Sequence, residues 1–185
     1  FKMMLCTTEK EFNAELEYLD MLNRHIVDGV ITGAHSLAVE EYKKIHKPIV
    51  ALDRYLGEDI PVIAVNHKEG GRLAAETLIQ NGCRRVLHFR GKVTVESPYH
   101  DRHFEFARIM EEHGIQTIDY ELGRNRLDSE YYKKAVKDVF TRGIDFDGVF
   151  GVDRPVIERM NETIRRHRRV PEDVKFVAYD GTFLT

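Results

Sequence analysis

Three apolar runs stop on an aspartate: IVALD (49–53), FGVD (150–153) and FVAYD (176–180). After each the chain turns, into Arg54-Tyr55, Arg154-Pro155 and Gly181-Thr182. A carboxylate accepts hydrogen bonds from two neighbouring hydroxyls, and charge-assisted bonds are stronger than neutral ones. Asp53, Asp153 and Asp180 are therefore candidates to hold a polyhydroxy ligand. Helix capping competes as an explanation, most directly for Asp153, which precedes Arg-Pro. A plain Asp-Gly turn competes for Asp180. Arg102, in SPYHDRHFEFARIM (97–110), falls in the first turn of a helix that follows a strand, and its fork of donors complements carboxylates and hydroxyls. The bland alternative is a surface arginine paired with Asp101 or Glu105. His100 and His103 flank it at helical spacing, but two histidines do not complete a coordination shell, so no metal site is expected.

These residues need elements to position them, and strand-like and helix-like patterns alternate along the whole chain. Strands are expected at 1–6, 29–33, 49–53, 61–65, 85–89, 116–122, 148–152 and 174–179. Helices are expected at about 8–24, 37–46, 68–80, 99–113, 129–141 and 154–167. The first carries a capping-box spacing at Thr8 and Glu11 and a buried face of Phe12, Leu16 and Leu19. Continuous apolar strands alternating with helices mean parallel sheet covered on both faces. In such sheets the ligand site lies beyond the carboxyl ends of the strands, which is where the three aspartates stand. VDGVITG (27–33) and FDGVFGV (146–152) share one design, in which Asp-Gly opens a buried strand. The echo predicts two similar α/β subdomains, 1–63 and 64–185, joined where two strands follow one another without a helix. Asp53 then faces Asp153 and Asp180 across a cleft. Gly33, at the end of its strand, reaches the same cleft edge with Ala34 and His35. Gly70 and Gly71 sit near the start of a helix, where glycine lowers propensity, so a close packing contact is expected there.

Bulk properties narrow the function classes. The 185 residues carry a net charge of −3, with 42% hydrophobic and 32% charged residues. Phosphate binding usually needs a basic excess, so this segment is not expected to be the nucleic-acid module. The basic RRHRR (165–169) falls at a helix C-terminus, where positive charge complements the macrodipole. No apolar run approaches the ~20 residues that span a bilayer. Cys6 and Cys83 are read as free thiols, which suits a cytoplasmic location. No GxGxxG or GxxxxGK[ST] is present and no Ser/His/Asp or Cys/His triad can be argued, so an enzyme is not expected and no cofactor is implied. The chain opens inside one apolar run and stops at GTFLT just after another, which suggests a longer parent chain with both subdomains incomplete.

The segments VDGVITG, PIVALDR, EGGRLAAETLIQNGCRRVLHFRG, DRHFEFARIMEEHGI, FDGVFGVD and RVPEDVKFVAYD occur in the order found in the LacI/GalR transcription regulators. The chain resembles that family over nearly its whole length, and VAYDGT looks most like the sucrose-operon-repressor branch. The resemblance implies a type I periplasmic-binding-protein-like effector domain of two subdomains, with a sugar bound in the cleft. It implies a cytoplasmic, dimeric repressor that reaches operator DNA through a helix-turn-helix segment absent from this chain, with no membrane partner. The positions matching family ligand contacts are Asp53, Arg102, Asp153 and Asp180, with Gly33 a weaker match. Tyr99, in the loop 96–99, would stack on a sugar face. The chain departs from the family in carrying Asp153-Arg154 where Asn-Asp is usual, Asn66-His67 where Asp-Asn is frequent, and Gly181 where many members have a second aspartate. A periplasmic sugar-binding protein of a transport system shares this architecture and is the competing reading. An enzyme on a doubly wound fold is a more distant one.

Overall fold

A computed structural model describes residues 2–8, 14–33, 37–93, 96–123, 129–152 and 154–180, with backbone only for Ser129 and Arg154. The chain forms two units, the first made of residues 1–65 and 95–99, the second of 66–94 and 100–185. No helix among the described residues is long and apolar enough to cross a membrane.

In the first unit, helix α1 (Ala14–Asn23), strand β1 (Val30–Thr32), helix α2 (Val39–Lys43), strand β2 (Ile49–Leu52) and strand β3 (Val62–Ile63) follow in order. The strands make one parallel sheet in the order β1-β2-β3. Alternation decides its faces. Ile49 and Ala51 point into a core with Leu19, Leu22, Leu37, Tyr42 and Leu56. Ile31, Leu52 and Ile63 alternate to the other side and stand exposed. The expected strand at 1–6 does not form: residues 2–8 are in no ladder, and Met3 is 96% exposed. A strand is held by hydrogen bonds to a neighbour, and among the described residues β1, at the sheet edge, pairs only with β2. The buried face of α1 also differs from expectation. It uses Ala14, Glu15, Leu19 and Leu22, whereas Leu16 is exposed. Glu11, Phe12, Ala34 and His35 lie outside the described residues.

The second unit holds helix α3 (His67–Gln80), strand β4 (Arg85–Gly91), helix α4 (Asp101–Glu112), strand β5 (Gln116–Leu122), helix α5 (Ser129–Thr141), strand β6 (Gly148–Gly151), helix α6 (Arg154–Ile164) and strand β7 (Lys175–Ala178). All four strands are parallel, in the order β5-β4-β6-β7. β4 is buried on both faces because its side chains alternate between two cores. Leu87 and Phe89 pack with Tyr132, Val136 and Val139 of α5 and with Val156 and Met160 of α6. Val86 packs with Ala75 and Leu78 of α3 and with Phe106 and Met110 of α4. α6 stops at Ile164, short of the expected 167, and the basic run beyond it turns back onto the unit. Arg168 donates to the Phe146 carbonyl at 2.8 Å, and Arg169 pairs with Asp173.

The Asp-Gly that opens β6 has a physical role. The Asp147 carboxylate accepts from the backbone N–H of Arg84 (2.8 and 3.0 Å) and of Arg85 (2.9 Å), tying the start of β6 to the start of β4. At Gly148 a Cβ would lie 3.0 Å from Cys83 Sγ and from Val86 Cγ2. Removing a charged acceptor from two backbone donors costs about 1–3 kcal/mol. Asp147→Ala should lower the urea midpoint of unfolding accordingly, with an unchanged m-value.

Candidate functional site

The carboxyl ends of β4, β6 and β7 share one edge of the second unit's sheet, and the N-termini of α3 and α4 lead away from it. α3 starts cleanly because Asn66 caps it, Oδ1 accepting from the Glu69 N–H at 3.0 Å. One helical turn on, Gly70 and Gly71 permit the close approach expected of them. A Cβ on Gly71 would overlap the Arg102 carbonyl oxygen and lie 2.9 Å from its carbon, and one on Gly70 would run into the Tyr179 ring. The glycine pair therefore lets α3 meet the first turn of α4 on one side and the end of β7 on the other.

Arg102 stands in that first turn. Its guanidinium carbon lies 4.5 Å from the centroid of the Tyr179 ring, a cation–π stack. A guanidinium carries its N–H donors in its own plane, so contact with a ring face leaves their hydrogen-bonding geometry intact. Tyr179 is held in turn by His67, whose Nδ1 is 2.9 Å from the tyrosine hydroxyl and whose ring stacks on it at 5.8 Å. The pairing of Arg102 with Glu105 considered from the sequence does not form. Glu105 instead takes Arg108, at 2.6 and 3.0 Å.

Behind this edge lies a polar chain inside an apolar layer. His88, at the centre of β4, is 1% exposed and stacks on Phe150 at 5.2 Å. Its Nδ1 is 3.0 Å from Asp119 Oδ1 on β5, and its Nε2 is 2.8 Å from His103 Nδ1 on α4. Arg90 Nε sits 2.8 Å from the other Asp119 oxygen. Burial pushes the His88 imidazole below its ordinary range, against the opposing pull of Asp119. Burial, with His88 and Arg102 adding to it, pushes His103 down to about 2. The hydrogen bond from His88 holds Asp119 below the usual carboxylate range. His103 thus faces inward to another histidine. Among the described residues no group of three or more His, Cys, Asp or Glu is placed to hold a metal.

Asp180 follows β7 directly after Tyr179 and is exposed. Asp153 lies outside the described residues. In the first unit, Gly33 follows β1 and Asp53 follows β2, both at carboxyl ends of strands. Asp53 adopts a left-handed backbone (φ 53°), with its N–H donating to the Ile63 carbonyl at 3.0 Å. Tyr99 is half-buried within the 3₁₀ turn Pro98–His100. The residues that sequence reasoning passed over are His67, His88, Asp119 and Tyr179. Only Tyr179, beside Asp180 in VAYD, carried a local signal.

Residues 75–185, more than half of the chain, match the family model described as a periplasmic binding protein-like domain. The chain is similar to the ribose operon repressor of Halalkalibacterium halodurans, at 32% identity over 182 residues, which is 98% of this chain and 54% of that repressor. It is similar to the sucrose operon repressor of Streptococcus mutans, at 31% identity over 183 residues, 98% of this chain and 55% of that repressor. The chain spans about half the length of these curated relatives. Among solved structures, its fold is like that of a periplasmic binding protein/LacI transcriptional regulator from Alkaliphilus metalliredigens complexed with D-xylulofuranose. The TM-score is 0.77 at 23% identity, covering 98% of this chain and 67% of that one.

Proposed function

Because the chain belongs to the periplasmic binding protein-like domain family, in the form carried by LacI-type regulators, we propose that it is the effector-sensing part of a sugar-responsive repressor. The observation that carries this reading is the stacked Arg102–Tyr179 pair at the carboxyl edge of the second sheet, together with relatives that are sugar-operon repressors. Arg102 donates in its plane to sugar hydroxyls, and Asp180 and Asp153 accept from them. On the strength of the family resemblance, Gly33, Asp53 and Tyr99 of the first unit are ligand contacts as well. The action is binding rather than turnover. A sugar that prefers one conformational state of the regulator shifts its equilibrium by the difference in affinity for the two states, and operator affinity changes with it. The operator-binding segment lies outside these 185 residues, and the working form is a cytoplasmic homodimer. Ribose and sucrose are the first effectors to try, since the regulators of those operons are the similar ones.

Calorimetry of the intact regulator against ribose, sucrose and their phosphates should detect one ligand. Arg102→Ala should then weaken it by about 5- to 150-fold, since it strands acceptors worth roughly 1–3 kcal/mol. A parent protein that binds no sugar, or a variant that binds as well as the parent, would overturn the reading.

A further inference from the structure

The chain Asp119–His88–His103 has a proton order that follows from chemistry alone. An ionised carboxylate only accepts, so the His88 Nδ1 at 3.0 Å must carry the proton. His88 is neutral in its apolar layer, so its Nε2 has a lone pair and accepts. The His103 Nδ1 at 2.8 Å is therefore the donor. Packing holds both rings in place. The His88 ring lies against Phe106 at 4.8 Å and Phe150 at 5.2 Å, and His103 is 6% exposed. The chain runs from β5 through β4 into the first turn of α4, and its last member is the sequence neighbour of Arg102.

We propose that Asp119, His88 and His103 form a proton-ordered chain of hydrogen bonds that holds the first turn of α4, and with it Arg102, in its ligand-taking orientation. The three are positioning residues, and the proposal rests on reading Arg102 as a ligand contact. Gly71 fixes the same turn from the α3 side through the Arg102 carbonyl. The turn is thus located by a backbone contact on one flank and by a directional hydrogen bond on the other. An apolar residue at 103 would fill the space and leave the His88 lone pair buried without a donor.

The test has one readout that needs no ligand and one that does. Nitrogen-15 imidazole spectra of the intact regulator at neutral pH should show His88 and His103 both neutral and both protonated at Nδ1. A His88 proton on Nε2, or an imidazolium at either residue, would overturn the chain. Asp119→Ala, at a half-exposed position, should release the His88 tautomer. His103→Asn keeps a donor close to the Nδ1 position, whereas His103→Leu keeps only bulk. The Asn variant should keep affinity for ribose or sucrose within about threefold, and the Leu variant should lose about tenfold or more. Amide exchange in the first turn of α4 should speed up in the Leu variant and not in the Asn variant. Leu performing as well as Asn in exchange would sink the positioning role. If exchange separates the two variants but no sugar binds the parent, the chain stands and the sugar reading falls.

Discussion

Gly71→Ala should destabilise the second unit by about 2 kcal/mol or more, although alanine is the better helix former. In an unconstrained helix the exchange would gain about 1 kcal/mol. Here the added carbon overlaps the Arg102 carbonyl oxygen and lies 2.9 Å from both Arg102 C and Arg102 Cα. These are backbone atoms, which no rotamer change can clear, so α3 and α4 must part. Parting them opens the layer in which Ala75, Leu78, Phe106 and Met110 are buried, and overpacking of this kind commonly costs about 1–3 kcal/mol or more. Gly70→Ala makes the informative comparison. The atoms nearest its new carbon all belong to the Tyr179 side chain, which can swing aside. Stability should change little, while the Arg102 stack opens and sugar affinity drops. Urea unfolding and calorimetry on both variants check the pair. Equal midpoints for Gly71→Ala and the parent would show that α3 and α4 are not in the described contact.

Acidification should destabilise the protein well before its carboxylates protonate. His88 and His103 are both held below the ordinary histidine range, chiefly by burial, His103 to about 2. An unfolded histidine titrates near 6.5. Below that pH the unfolded state takes up protons that the folded state refuses, so unfolding becomes easier as pH falls. Each histidine that stays neutral contributes a slope of about 1.4 kcal/mol per pH unit. His103 alone then removes about 2 kcal/mol between neutral pH and pH 5, and its window closes only near its folded value. His88 acts in the same direction. The charged and titratable groups around the pair are Arg90, His100, Arg102 and Asp119. Asp119 is lowered, so its contribution is present above the ordinary carboxylate range and disappears at lower pH than the histidine effect. Urea unfolding at pH 5, 6, 7 and 8 should show stability level above about 7 and falling below 6.5. In His103→Asn the slope should shrink by about one histidine. A flat profile down to pH 5 would contradict the buried neutral pair.

What could be read without coordinates depended on how local the signal was. Apolar runs bounded by Gly, Pro and Asp placed β4 and β6, because a strand buried on both faces must be largely apolar, and the alternation with helices placed the edge strands β5 and β7. Gly70-Gly71 announced a close contact, since two glycines near a helix start are unfavourable without one. Arg102 was located because it opens a helix that follows a strand. The same locality explains the errors. Lys2–Cys6 has the composition of a strand, but a strand exists only with a partner, and none of the described residues pairs with it. Leu16 fits a helical stripe, yet the face of α1 that is covered belongs to Leu19 and Leu22.

The alternation of elements, the parallel class of the sheets and the placing of Asp53 and Asp180 just beyond strand ends were all legible in the chain. All of these follow from patterns a few residues long. What Arg102 faces came from packing alone: Tyr179, 77 residues away along the chain, with Glu105 taken by Arg108. Packing also brings His103 onto His88 inside an apolar layer and carries His88 on to the half-exposed Asp119. Such pairings are set by how helices and strands pack, and a hydrogen bond between distant elements leaves no periodic trace in the sequence that makes it.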